Sequence, residues 1–231
     1  MAPDSIDFRQ SEVSRQGKKW EKFVEVYIQA YYQKLIKKYS QDSPEYKILE
    51  DLGVMSLATK GSLQSMDTSS DTTRAKSKAV EKIYDALYIP IYYRRRRIMG
   101  DIDIVLFSKR ESYPLVVVSC KLSLHGRLTE SLFYALYYRL TRKIKFVLAT
   151  PDKGKQSKED KWESEWGTPE RPSKYRLLAS VFLDGVYVKN EPDFMPKGFQ
   201  EDRHQTAMGG IVRPLEQLLP DTLRWYQELL T

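Results

Sequence analysis

Two strand-length runs, PLVVVSC (114–120) and IKFVLAT (144–150), flank a helical stretch, RLTESLFYALYYRLTR. Little else limits the fold as much. The second run is apolar on both faces, so it must be covered from both sides. Strands joined through a helix form a β-α-β crossover and lie parallel. In the joining helix, Leu128, Leu132, Leu136 and Leu140 read as one face.

The flanking segments fit the same picture. Trp20, Phe23, Val24, Tyr27, Tyr31 and Leu35 recur at helical spacing in a long N-terminal helix. DSPEYKILEDLG reads as a short helix capped by Asp42 or Ser43 and ended by Gly53. TKGSLQSMDTSSDTTR is polar and reads as a loop, and RAKSKAVEKIYDALY returns to helix. IPIYYRRRRI and DIDIVLF read as strands, with Glu111 to Pro114 as the hairpin into PLVVVSC. After IKFVLAT comes a long charged loop, PDKGKQSKEDKWESEWGTPERPSK, whose tryptophans read as anchors. YRLLASVFLDGVYVKN suggests a short helix and a last strand, and the chain closes on a helix broken near Pro220.

This order predicts an α/β fold, a single domain over 1–231 with a central mixed β-sheet flanked by helices. Residues 1–88 form its mainly helical part, 89–150 the sheet core, and 151–231 a recognition loop and C-terminal helices. A chain of 231 residues, 41% hydrophobic, supports one core of ordinary size.

Charge and cysteine usage narrow the function. The net charge of +7 favours an anionic partner, with nucleic acid first, and Arg94, Arg95, Arg96 and Arg97 concentrate part of it. MAPDSIDFRQ has no apolar signal run and no apolar stretch exceeds strand length, which points to a cytoplasmic protein without a membrane span. One cysteine excludes an internal disulfide, and one cysteine with two histidines excludes a His/Cys zinc cluster. Any metal would be held by oxygen ligands.

In GDIDIVLF, period-two alternation turns Ile102, Ile104 and Leu106 to the core and Asp101 and Asp103 the other way. On the next strand Ser119 and Lys121 share a face, and Cys120 takes the opposite one. Two carboxylates and an ammonium thus converge at one sheet edge. Exposed acids also guard edge strands against aggregation, and an arginine run is commonly a solvated stripe. Here the acids come paired with a lysine across a hairpin. A hard cation held by the carboxylates can polarise a phosphodiester, with the lysine orienting water or stabilising charge. Cys120 faces the core with no histidine to activate it, so it is no nucleophile.

The stretch GDIDIV…VVVSCKL resembles the PD-(D/E)xK nuclease superfamily, and type II restriction endonucleases in particular. The resemblance covers residues 89 to 150. It implies a restriction-endonuclease-like fold, Mg²⁺-dependent hydrolysis of double-stranded DNA (one or two ions, Mn²⁺ able to substitute) and a homodimer in a prokaryotic cytoplasm. It makes Asp103 the principal metal ligand, with Asp101 auxiliary or alternative, and Lys121 the catalytic lysine. The Cys120 backbone carbonyl would complete the metal shell. Ser119 departs from the pattern, which usually has an acid there. In S-x-K members the next helix supplies the missing acid, and Glu130 is the candidate. Glu21 is a further one, from the first helix. Arg94 to Arg97, His125, Arg127, Lys153, Lys155 and Gln156 are the expected DNA contacts. The rival readings are a repair or recombination nuclease of the same superfamily, a non-cleaving DNA-binding subunit, and an enzyme completed by a second subunit.

Overall fold

The computed structural model describes residues 4–57, 71–91, 96–124, 128–156, 162–199 and 208–230. Helix α1 (Asp4–Lys38) and helix α2 (Pro44–Asp51) lead into strand β1 (Leu52–Ser56). Helix α3 (Asp71–Leu87) follows, then a two-stranded ribbon of β2 (Tyr88–Ile91) and β3 (Arg96–Met99). The hairpin β4 (Ile104–Ser108) and β5 (Tyr113–Cys120) leads into helix α4 (Leu128–Thr141) and strand β6 (Lys145–Thr150). The charged loop carries β7 (Lys155–Gln156) and β8 (Trp162–Glu163), followed by helix α5 (Lys174–Phe182) and β9 (Gly185–Val188). Strand β10 (Val212–Pro214) and helix α6 (Leu218–Leu230) close the chain.

The main sheet has the order β1-β4-β5-β6-β9-β10. β1, β4 and β5 pair antiparallel, while β5, β6, β9 and β10 run parallel. It is the expected mixed sheet, and β5-α4-β6 is the expected parallel crossover. Alternate residues of the central strands face two separate cores. Val116, Val118, Val147 and Ala149 pack against α1, α2 and α6, through residues such as Trp20, Leu49 and Leu219. Val117, Phe146, Leu148 and Val186 pack against α3 and α4, through Ile83, Leu87, Leu132 and Tyr138. All eight of those strand residues are fully buried. Each buried Val, Leu or Phe among them contributes ~1.5–3 kcal/mol over its exposed state.

Several local readings change. Ser43 caps α2, its side chain accepting the Tyr46 N–H at 3.2 Å. Gly53 does not end that helix. It lies in β1 opposite Phe107, where a Cβ would fall 2.3 Å from the ring, so the aromatic occupies the space glycine leaves. Arg96 and Arg97, the described part of the arginine run, belong to a ribbon apart from the main sheet. On α4 the buried stripe is Leu128, Ser131, Leu132, Ala135 and Tyr138. Leu136 and Leu140 are 39% and 74% exposed. Steps of four drift by about 40° each around a helix with 3.6 residues per turn, so four leucines so spaced cannot share one narrow face. Pro220 does not break the last helix. It sits in the first turn of α6, where a missing N–H leaves no bond unmade. Trp162 and Trp166 are buried, as loop anchors should be.

Candidate active site

The site begins where β4 parts from β5. The Asp103 N–H still donates to the Val118 carbonyl at 3.1 Å, and Leu57 N–H donates to the Asp103 carbonyl at 2.9 Å. One residue earlier the ladder stops. Ile102 N–H turns back to the Gly100 carbonyl (2.9 Å), a tight bend centred on Asp101. The bend breaks the period of two. Ile102 packs with Val105 and Val117 on one face, whereas Ile104 and Leu106 pack on the other, so the expected common face does not form. Gly100 is required there, because a Cβ would fall 2.7 Å from the Tyr134 ring of α4.

With the chain turned away, the Cys120 N–H has lost its place in the ladder. The Asp103 carboxylate takes it, Oδ2 accepting at 2.6 Å. Its other oxygen accepts no hydrogen bond among the described residues. Burial pushes the Asp103 carboxyl up to about 7, against the Cys120 N–H and the Lys121 charge, which both lower it. Glu21 and Asp101 add to the rise. Such a carboxylate is short of positive charge.

Asp101 is differently placed. Lys121 forms an ion pair with it, and its Oδ2 accepts from Ser119 Oγ at 2.9 Å and Ser131 Oγ at 3.1 Å. Lys121 and Asp101 side chains are 8% and 18% exposed, so this is a desolvated pair rather than a surface one. Ser119 therefore holds an acid instead of replacing one. Ser131 was missed in the sequence; its signal is a small polar residue on the buried stripe of α4.

Glu21 comes from α1. Trp20 beside it is fully buried, and its indole N–H donates at 3.0 Å to the Ala149 carbonyl, which also accepts the Lys121 N–H at 2.9 Å. One carbonyl at the end of β6 thus ties the helix to the lysine's strand. Glu21 lines the same cleft as Asp101, Asp103, Cys120 and Lys121, a space of about 590 Å³. Burial raises its carboxyl, opposed by Lys121 and Lys18. Glu130 is exposed on the first turn of α4 and does not line this cleft. Cys120 presents its N–H to the site; its thiol is buried, and burial pushes it well above its ordinary range.

Among the described residues, no three acids, histidines or cysteines gather closely enough to cage a metal ion. The donor chemistry nonetheless fits a hard cation: Asp103 and Glu21 are oxygen donors whose burial penalises their charge, and a cation between them would offset that penalty.

Of the expected DNA contacts, Lys153 lines the cleft, and Arg97 is exposed and paired at 2.5 Å with Asp85 of α3. Arg94, Arg95, His125 and Arg127 lie outside the described residues, as do the side chains of Arg96, Lys155 and Gln156. No helix among the described residues is long and apolar enough to cross a membrane.

Residues 71–207 match a family model described as BsaWI restriction endonuclease type 2. That span includes Asp101, Asp103, Ser119, Lys121 and Glu130; Glu21 precedes it. A solved structure of a pre-specific restriction endonuclease BsaWI-DNA complex is similar at 13% identity and a TM-score of 0.43, covering 99% of this chain and 70% of that one. A search of curated proteins finds no match.

Proposed function

The chain belongs to the BsaWI family of type 2 restriction endonucleases, enzymes that cut DNA, and on that premise we propose that the cleft at the β4–β5 fork is its cleaving site. The observation that carries this reading is the buried Asp101–Lys121 pair beside Asp103, an acid of which only Oδ2 accepts a hydrogen bond among the described residues. Asp103 and Glu21 would hold the metal, and the Cys120 carbonyl would be a further ligand from the same cleft. A divalent ion bound there, Mg²⁺ or Mn²⁺ in its place, would supply Lewis-acid chemistry to a phosphodiester and to water.

The remaining roles belong to the chain. Asp101, Ser119 and Ser131 fix the Lys121 ammonium, which then points its remaining protons at the attacking water or the developing negative charge. Fixing the ammonium before substrate arrives removes the cost of orienting it during the reaction. The substrate is double-stranded DNA. Cutting both strands of a symmetric site calls for two such clefts, which a homodimer supplies. A prokaryotic cytoplasm suits a protein whose only cysteine is free and buried.

The test is incubation of the protein with long duplex DNA of known sequence, in Mg²⁺ or in EDTA, followed by sequencing of the ends. Discrete fragments sharing an end sequence, absent in EDTA, are expected. Ends without a common sequence, or equal cutting in EDTA, would contradict the reading.

A further inference from the structure

We propose that Lys153 is a second catalytic cation, placed to touch the phosphate being cleaved rather than a base edge; this rests on the nuclease reading of the cleft. Lys153 follows β6 and lines the same cleft as Glu21, Asp101, Asp103 and Lys121. Its backbone is held on both sides. Asp152 is buried; its N–H donates to Asn190 Oδ1 at 2.9 Å, and its carboxylate accepts the Glu165 N–H at 2.9 Å and the Ser164 hydroxyl. On the other side Gly154 takes a left-handed conformation (φ 58°), which turns the chain away immediately after the lysine. The side chain thus leaves the chain directly after a residue anchored by hydrogen bonds.

Lys153 itself makes no hydrogen bond or ion pair among the described residues. It is half-buried, with the Glu165 carboxylate the opposite charge acting on it, and burial lowers its ammonium below the usual lysine range. A half-buried ammonium that makes no ion pair among the described residues is suited to an anion that arrives. In this cleft the arriving anion is the phosphodiester that Asp103 and Lys121 act on. Lys121 has Asp101 as its ion-pair partner; Lys153 makes no ion pair among the described residues, so its charge is available to the non-bridging phosphate oxygens as they gain charge. The two cations divide the work: Lys121 is positioned for the water, Lys153 for the phosphate.

The experiment compares wild type with Lys153→Ala, Lys153→Gln and Lys153→Arg. It measures single-turnover cleavage at saturating protein, duplex binding in EDTA, the sequence at the cut ends, and protection of Lys153 from reductive methylation by duplex DNA. Expected are a fall in rate on the order of 10²–10³-fold for the Ala and Gln variants, partial recovery with Arg, and an unchanged cut sequence. Binding should weaken by less than about tenfold, and duplex should protect Lys153. Unchanged rates alongside active wild type would overturn the inference and leave the nuclease reading standing. A changed cut sequence would make Lys153 a base reader, and lost binding at an unchanged saturated rate a remote clamp; either overturns it. If wild type cuts no DNA, the nuclease reading falls and the role of Lys153 with it.

Discussion

Asp103 accepts the backbone N–H of Cys120 at 2.6 Å, through a side chain standing where the strand has no further carbonyl to offer. The bond does two things. It satisfies a buried donor at the fork of two strands, and it fixes one oxygen of a carboxylate that lines the cleft. Structural and chemical demands therefore meet in one residue. Substituting it should separate them.

The Asp101–Lys121 pair should be costly to break from one side. Lys121→Met leaves a buried carboxylate with only two serine hydroxyls, and should lower stability by ~3–5 kcal/mol as well as abolish cleavage. Adding Asp101→Asn removes the unpaired charge and should return much of the stability but none of the activity. Denaturant unfolding of the two single variants and the double variant measures the coupling.

Asp103 predicts a pH dependence of a definite sign. Its carboxyl rises from 3.8 to about 7 on folding, so between those values the metal-free folded state holds a proton that the unfolded state has released. The contribution is thus fully present below about pH 4 and lost as pH rises to about 7. Relative to Asp103→Asn, wild type should lose stability across that window and run parallel above it. Urea unfolding of both proteins at pH 4, 5.5, 7 and 8 measures the difference, and a constant gap would rule the burial argument out.

Two glutamates make opposite claims on the metal. Glu21 lines the cleft and Glu130 does not. Glu21→Gln should raise the Mg²⁺ concentration needed for half-maximal cleavage by tenfold or more, on the order seen for lost metal-site partners. Glu130→Gln should leave it within about twofold of wild type. Metal titrations of cleavage decide between them, and a reversal of the two results would assign the ligand to α4.

Gly100 has no room for a side chain beside the Tyr134 ring. Gly100→Ala should displace the bend that carries Asp101, costing about 1–3 kcal/mol and most of the activity. Adding Tyr134→Ala opens the space and should restore activity in part. Rescue by a second substitution would separate a steric effect from a conformational need for glycine.

The residues that were legible in the sequence are those governed by a short period. Ser119 lies in one strand of a hairpin, and Asp103 and Lys121 lie next to its two strand ends, where two-residue alternation and a near turn limit which residues can meet. The parallel β5-α4-β6 unit was readable for the same reason. What was hidden depended on distant contacts. Strand β1 looks like the tail of a helix until Phe107 is seen to cover Gly53. The bend at Asp101 answers to Tyr134, from another element. Ser131 gains its role from Asp101, thirty residues earlier. The placing of Glu21 rests on the Trp20 bond to Ala149, which no local pattern announces.

The most direct test is single-turnover cleavage of a mapped duplex in Mg²⁺ by wild type and Asp103→Asn. Asparagine keeps the shape and can still accept the Cys120 N–H, while losing the charge that would hold the ion. The expected result is a protein that folds and binds DNA in EDTA but cuts at least about 10³-fold more slowly, the scale of a lost catalytic group. Cleavage by Asp103→Asn at a rate near wild type would contradict the account.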